Sequence, residues 1–293
     1  MIKEKLNIGI FGIGAIGVLM AKIIEELKNA HVFYFSKNEK TKLTLQFGTD
    51  ITEWGIELSS VNAFDNSLDY LFICLKEFHY HEALNDILQI VSPETLIVSI
   101  RNGIHLKQSF DARFNQDKII PAMIDCSVDW VGEHHYQYYK SPKITMPNGQ
   151  HSKKIEELLG KEIKDIFLVD YFHSHSWKKL IESSCLGAIM VLSGSTAKVF
   201  QTRSVEKFYI DLVKEAIQIA NLDGAKIHTD FIEYLLKKLK NYPPEKGSSM
   251  LTDLERGRPL ELNAKNGAIV QAALRNNYPA PLHNMILRVL KRF

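Results

Sequence analysis

Cysteine is scarce in this chain, and the three it has, Cys74, Cys126 and Cys185, are odd in number and widely spaced. That count excludes a disulfide framework, and the spacing excludes a zinc ribbon. Long apolar runs are missing too. The longest in the second half, CLGAIMVL, falls far short of the roughly 20 residues needed to cross a bilayer. The opening MIKEKLNIGIFG reaches its first expected strand too early for the apolar stretch of a signal peptide, so a reducing cytoplasm is the expected compartment. Charge of one sign is also lacking. A formal net charge of +2, with no basic tract interleaved with aromatics, argues against a nucleic-acid partner. No repeat or low-complexity segment interrupts the chain.

What is present is ample core material: 45% of the 293 residues are hydrophobic, enough for one large domain or two ordinary ones. Short apolar runs at Ile8–Phe11, HVFYFS, YLFICL (70–75) and TLIVSI (95–100) read as strands, the last two apolar enough to be buried on both faces. Helical spacing in AIGVLMAKIIEEL and HYHEALNDILQIV places crossovers between them, the pattern of βαβ units in a parallel sheet. IIPAMI and ITMPN read as further strands and SKKIEELLGKEI as a helix. After Phe172 the pattern turns helical, with SWKKLIESSCLGAIMVL, KFYIDLVKEAIQIANL, DFIEYLLKKLKNY, Ser249–Gly257, Pro259–Asn276 and a last LHNMILRVLKRF. The expected fold class is α/β: a Rossmann-type domain over residues 1–168 followed by an all-helical domain over 169–293.

Within the first expected strand–turn–helix lies GIGAIG. Gly12 suits a tight turn, Gly14 lets backbone approach a pyrophosphate, and Gly17 permits close packing of helix on strand. The loop Gly12, Ile13, Gly14, Ala15, Ile16 and Gly17 is therefore the expected dinucleotide cradle, with the helix N-terminus facing phosphate. At the end of the second strand, Ser36 and Lys37 stand where an NAD site usually has a carboxylate. A hydroxyl and an ammonium suit a 2′-phosphate, which selects NADP; Glu39 nearby is the competing acid.

Ligands of an open parallel sheet lie beyond its carboxyl strand ends, which selects Lys76 and the Arg101-Asn102-Gly103 turn for cofactor or substrate contact. A reacting carbonyl gains negative charge as hydride arrives and needs a proton donor. Lys179, Ser183 and Gly187 recur at helical spacing on one face, making Lys179 a candidate general acid. Glu261, expected in the first turn of the helix begun by Pro259, is either a dipole partner or a substrate-orienting carboxylate. Ser249 is either a cap or a substrate contact. The pairs His79 and His81, His134 and His135, and His173 and His175 come without a compact ligand set, so no metal is expected.

In order along nearly the whole chain, GIGAIG, CLKEF (74–78), RNG (101–103), WKKL (177–180), SSMLTDLERGRPLELNAKNG (248–267) and the late YPAP resemble the ketopantoate reductase (2-dehydropantoate 2-reductase) family. The resemblance implies NADPH-dependent reduction of a 2-oxo acid held between the domains, a step of pantothenate biosynthesis. It implies Lys179 as general acid and Glu261 as the carboxylate orienting the reacting array. It further implies Ser249, Asn102 and Lys76 beside substrate, with Asn102 and Lys76 also near the cofactor, and Lys37 in the place of a phosphate-binding arginine. The family's two helix asparagines are Ser183 and Gly187 here, leaving Ser183 as the remaining polar substrate contact on that face. A different 2-oxo acid or carbonyl substrate is thus the alternative, and a noncatalytic NADPH-binding protein the contrasting one. The apolar helical half leaves room for a homodimer interface.

Overall fold

The computed structural model describes residues 5–37, 41–126, 128–132 and 135–292. By its internal contacts the chain forms two compact units, Met1–Arg101 with His105–Phe172, and Asn102–Ile104 with His173–Phe293.

The first unit opens with β1 (Leu6–Phe11), α1 (Ala15–Glu25) and β2 (Ala30–Phe35). It continues through β3 (Lys42–Phe47), β4 (Asp50–Gly55), β5 (Tyr70–Ile73), α2 (Tyr80–Ile90), β6 (Leu96–Ile100) and β7 (Ile119–Asp125). It ends with β8 (Val128–Gly132), β9 (His135–Tyr138), β10 (Lys143–Pro147), α3 (Gln150–Leu159) and β11 (Asp165–Val169). The main sheet runs β11-β10-β7-β6-β5-β1-β2. Its strands pair in parallel except β7 with β10. Alternating residues explain why the strands are apolar throughout: Ile8, Ile10, Phe72, Val98 and Ile120 feed one buried cluster with α1 and α3, while Phe11, Leu71, Ile73, Ile97 and Ile119 feed another with α2. Strand order reverses direction at β1, so the turn after β1 lies at the switch point where such sheets bind ligands.

A second sheet, β4-β3-β9-β8, was not foreseen. Its strands are half-exposed, with Leu43 and Leu45 buried between polar Thr44 and Gln46, and their alternation is short and weak beside that of the main sheet.

The helical unit comprises α4 (Phe172–Ser193), α5 (Arg203–Leu222), α6 (Asp230–Lys240), α7 (Ser249–Glu255), α8 (Asn266–Arg275) and α9 (Pro281–Leu290). Trp177, Cys185, Leu212, Ile219, Ile269 and Leu290 are fully buried in its core, and Ile104 joins them from the 102–104 segment. One expectation fails here. Pro259–Asn276 is not a single helix, because residues 258–265 form a turn-rich connection and α8 starts only at Asn266. Glu261 therefore lies outside any helix, and the dipole explanation for its charge falls away.

Candidate functional site

In the first unit the three glycines divide the expected labour. Gly12 has φ +92°, a left-handed conformation that a side chain resists, and its N–H donates to Phe35 O at 2.8 Å, tying the turn to β2. A β-carbon on Gly17 would collide with the carbonyl oxygen of Gly12, so α1 can start this close to β1 only with glycine there. Gly14 is exposed, and a β-carbon built on it would meet nothing within 4 Å. No side chain caps α1, whose first-turn N–H groups are left for a ligand. These residues fit a dinucleotide pyrophosphate.

Phe11 and Phe35 are register partners in β1 and β2, so Ser36 and Lys37 follow the strand end beside the glycine turn. Lys37 is exposed and pairs with Glu82 in the first turn of α2 at 3.2 Å. Sequence reasoning did not find Glu82, which is far along the chain. Glu39, the competing acid, lies outside the described residues. Lys76 follows β5, half-buried, with its ammonium 6.0 Å from the centre of the Phe78 ring. Arg101, from the turn expected to contact cofactor or substrate, lays its guanidinium 4.7 Å from the Tyr80 ring centre and donates to Ser109 Oγ. Burial pushes the Tyr80 phenol up to about 12, opposed by that guanidinium and by the Ser99 hydroxyl at 2.7 Å.

The helical unit gathers the remaining candidates. Asn102 packs with this unit, and its Nδ2 donates to Glu261 Oε2 at 3.2 Å. Gly103, at φ +108°, lets the same turn approach the Ala264 backbone. Glu261 is only 7% exposed, and its other oxygen has no protein partner among the described residues. Lys179, Ser183 and Gly187 all lie on the uninterrupted α4, with Lys179 and Ser183 half-buried. Ser183 turns its hydroxyl back to Leu180 O at 3.3 Å. Beside Gly187 the gap is filled: a β-carbon there would lie 2.8 Å from Met250 Sδ. Ser248, not Ser249, caps α7, its Oγ accepting from Leu251 N at 3.2 Å. Ser249 is left exposed and receives a hydrogen bond from Lys265 Nζ at 3.0 Å. Lys265, 2% exposed, was missed by sequence reasoning; its one signal is a lysine four residues after Glu261 amid small and apolar neighbours.

The histidines take other places. His81 is on α2, and His173 and His175 are on α4, where a two-residue spacing separates side chains around the helix rather than aligning them as on a strand. His173 Nε2 lies 2.9 Å from Asp223 O. His134 lies outside the described residues.

A family model described as ketopantoate reductase PanE/ApbA matches residues 8–151, and its C-terminal counterpart matches 172–293. The chain belongs to the ketopantoate reductase family. Membership makes it a pyridine-nucleotide-dependent oxidoreductase, and the glycine turn fits that cofactor class. Among curated relatives, a 2-dehydropantoate 2-reductase of Mycobacterium tuberculosis is 22% identical over 76% of this chain and 75% of its own length. An oxidoreductase of Bacillus subtilis, YkpB, is 19% identical over 97% of each. Among solved structures, a dimeric ketopantoate reductase of Staphylococcus aureus superposes with a TM-score of 0.87 at 19% identity over 98% of both chains. D-mandelate dehydrogenase with NADH and anilino(oxo)acetate reaches 0.88 at 17% identity over 98% of this chain and 97% of that one. At these identities the superpositions show a shared fold. No helix among the described residues is long and apolar enough to cross a membrane.

Proposed function

We propose that this protein reduces a 2-oxo acid to the 2-hydroxy acid with NADPH, and that the substrate is 2-dehydropantoate, giving pantoate. The observation that carries the reading is Glu261: a buried carboxylate outside any helix, fixed through one oxygen by Asn102 and offering the other to a ligand. That second oxygen takes no partner from the described residues and is not among the fully buried unpartnered atoms, so a ligand can reach it.

When bound on the glycine turn, the nicotinamide cofactor supplies the hydride, adding two electrons to the carbonyl carbon. Lys179 gives its proton to the carbonyl oxygen as charge builds there, and regains one from solvent. Glu261 accepts a hydrogen bond from the substrate or the lysine and so holds the proton donor in line. Asn102 keeps that carboxylate from rotating. Lys37 and Ser36 favour the 2′-phosphate, and Lys76 contacts ligand from the loop after β5.

A second reading has its own observation. Met250 occupies the space beside Gly187, so an apolar thioether stands where the relatives resembled by this sequence carry an amide. That wall suits a 2-oxo acid with an apolar side chain better than one bearing a hydroxyl.

The experiment is a panel of 2-oxo acids, ketopantoate and branched aliphatic acids included, followed through NADPH absorbance. Ketopantoate is expected to give the highest kcat/KM; preference for an apolar acid selects the second reading. On the best substrate Lys179→Ala should lower kcat at least about 100-fold with NADPH affinity unchanged. Turnover near that of the wild type removes Lys179 from the mechanism.

A further inference from the structure

We propose that Lys265 is a positioning residue that fixes the Ser249 hydroxyl as a hydrogen-bond donor to the substrate's carboxylate. The inference rests on the reading of the protein as a 2-oxo acid reductase and goes beyond it by assigning the polarity of one contact.

An ammonium can donate but never accept. In the 3.0 Å contact between Lys265 Nζ and Ser249 Oγ, the serine oxygen must therefore be the acceptor. Its own proton must then point elsewhere, and among the described residues no protein group receives it. Ser249 is exposed at the first residue of α7, so that proton faces outward. Accepting from a cation also polarises the O–H bond and makes the hydroxyl a stronger donor. A neutral serine that could rotate would serve donors and acceptors alike. One held by a lysine serves acceptors, and a carboxylate is nothing but acceptor.

Lys265 is held in place: it ends the 262–265 turn and is 2% exposed, so its side chain has little freedom to leave Ser249. The surroundings concentrate polar recognition on Ser249. The next residue, Met250, turns inward against Gly187 and is buried, and Ser248 spends its hydroxyl on capping α7. Ser249 is thus the polar handle at this end of the helix, and Lys265 sets its direction. A staple between α7 and the turn before α8 would equally join the two residues, but it would have no reason to sense the charge of a ligand.

The test compares wild type, Lys265→Met, Ser249→Ala and the double variant on the best 2-oxo acid and on its carboxamide. Lys265→Met should raise KM for the acid about tenfold, the worth of one charge-assisted hydrogen bond, and leave kcat within about threefold. The acid-over-amide ratio of kcat/KM should fall about tenfold in each single variant, and the double variant should lose no more than about twofold beyond Ser249→Ala. A Lys265→Met protein that melts earlier but keeps the wild-type acid-over-amide ratio overturns the proposal. Should Lys265→Met fail to fold, Ser249→Ala decides alone, because its side chain is exposed: an unchanged ratio overturns the proposal, a collapsed one supports it. A wild type that reduces no 2-oxo acid overturns the enzymatic reading first, and the positioning role with it.

Discussion

Single glycines shape the turn after β1 that is proposed to hold the cofactor, and Gly17 is the one with least tolerance. Any β-carbon there meets the Gly12 carbonyl, which is backbone and cannot swing aside. Gly17→Ala should therefore push α1 off β1 and weaken NADPH binding by at least about tenfold, corresponding to 1.4 kcal/mol, measured by fluorescence titration. Equal affinity would mean that α1 starts elsewhere. Gly14→Ala separates the two roles: its methyl meets no protein atom within 4 Å, so it should leave the melting temperature of the free protein unchanged, and any loss of NADPH affinity comes from the ligand side. At this scale the sequence was readable where spacing within a dozen residues fixes the role, as in GIGAIG. Lys265 and Met250 were not readable, because their partners Ser249 and Gly187 come from separate elements brought together by packing. A lysine four residues after Glu261 in the row ELNAKNG is too slight a sign to announce burial.

Among elements, the pairing of α5 with the start of α9 depends on Glu215. Its carboxylate accepts from the backbone N–H of Leu282 at 3.1 Å and of His283 at 2.9 Å, and lies 2.8 Å from His283 Nδ1. Burial works to raise this carboxyl, but the His283 ring and the two amides outweigh it and hold it below the ordinary value of 4.5. A carboxyl depressed on folding stabilises above its unfolded value and loses that contribution as pH falls through the folded one. Glu215→Gln should thus cost about 2 kcal/mol at pH 7 in denaturant melts, and the gap to wild type should narrow below pH 4.5. A gap independent of pH would assign the cost to packing alone. Behind this clip, Cys185 Sγ lies 3.9 Å from His283 Nε2, but burial pushes its thiol up, so the cysteine stays an apolar filler despite its imidazole neighbour. Helices with strong periodicity were legible, α5 and α6 above all, while α4, buried on most sides, was legible by its length and apolar run. The one misread, Pro259–Asn276, has a plain cause: Pro259 suits a helix start, yet the chain turns through 262–265 so that Gly267 N can donate to Leu262 O at 2.7 Å, and the helix begins later.

For the molecule as a whole, cofactor choice becomes a stability difference. The Lys37–Glu82 pair is solvent-exposed and worth little by itself, so a 2′-phosphate can draw the lysine away from it at small cost. NADPH at 100 times its Kd should stabilise the protein by about 2.7 kcal/mol, and NADH at the same concentration should give a smaller shift in melting temperature. Lys37→Glu should narrow that difference; equal shifts from both cofactors in the wild type would remove the preference for NADP.

The excursion of Asn102–Ile104 also bears on how the gene could be divided. Because Ile104 fills the helical core from within the first half of the polypeptide, no single cut yields two fragments each holding its full complement of residues. Severing the chain near residue 170 would strip the C-terminal piece of Ile104 and of the amide that steadies Glu261. Split halves would have to find each other to be whole, which makes reassembly rather than autonomy the rule for this protein.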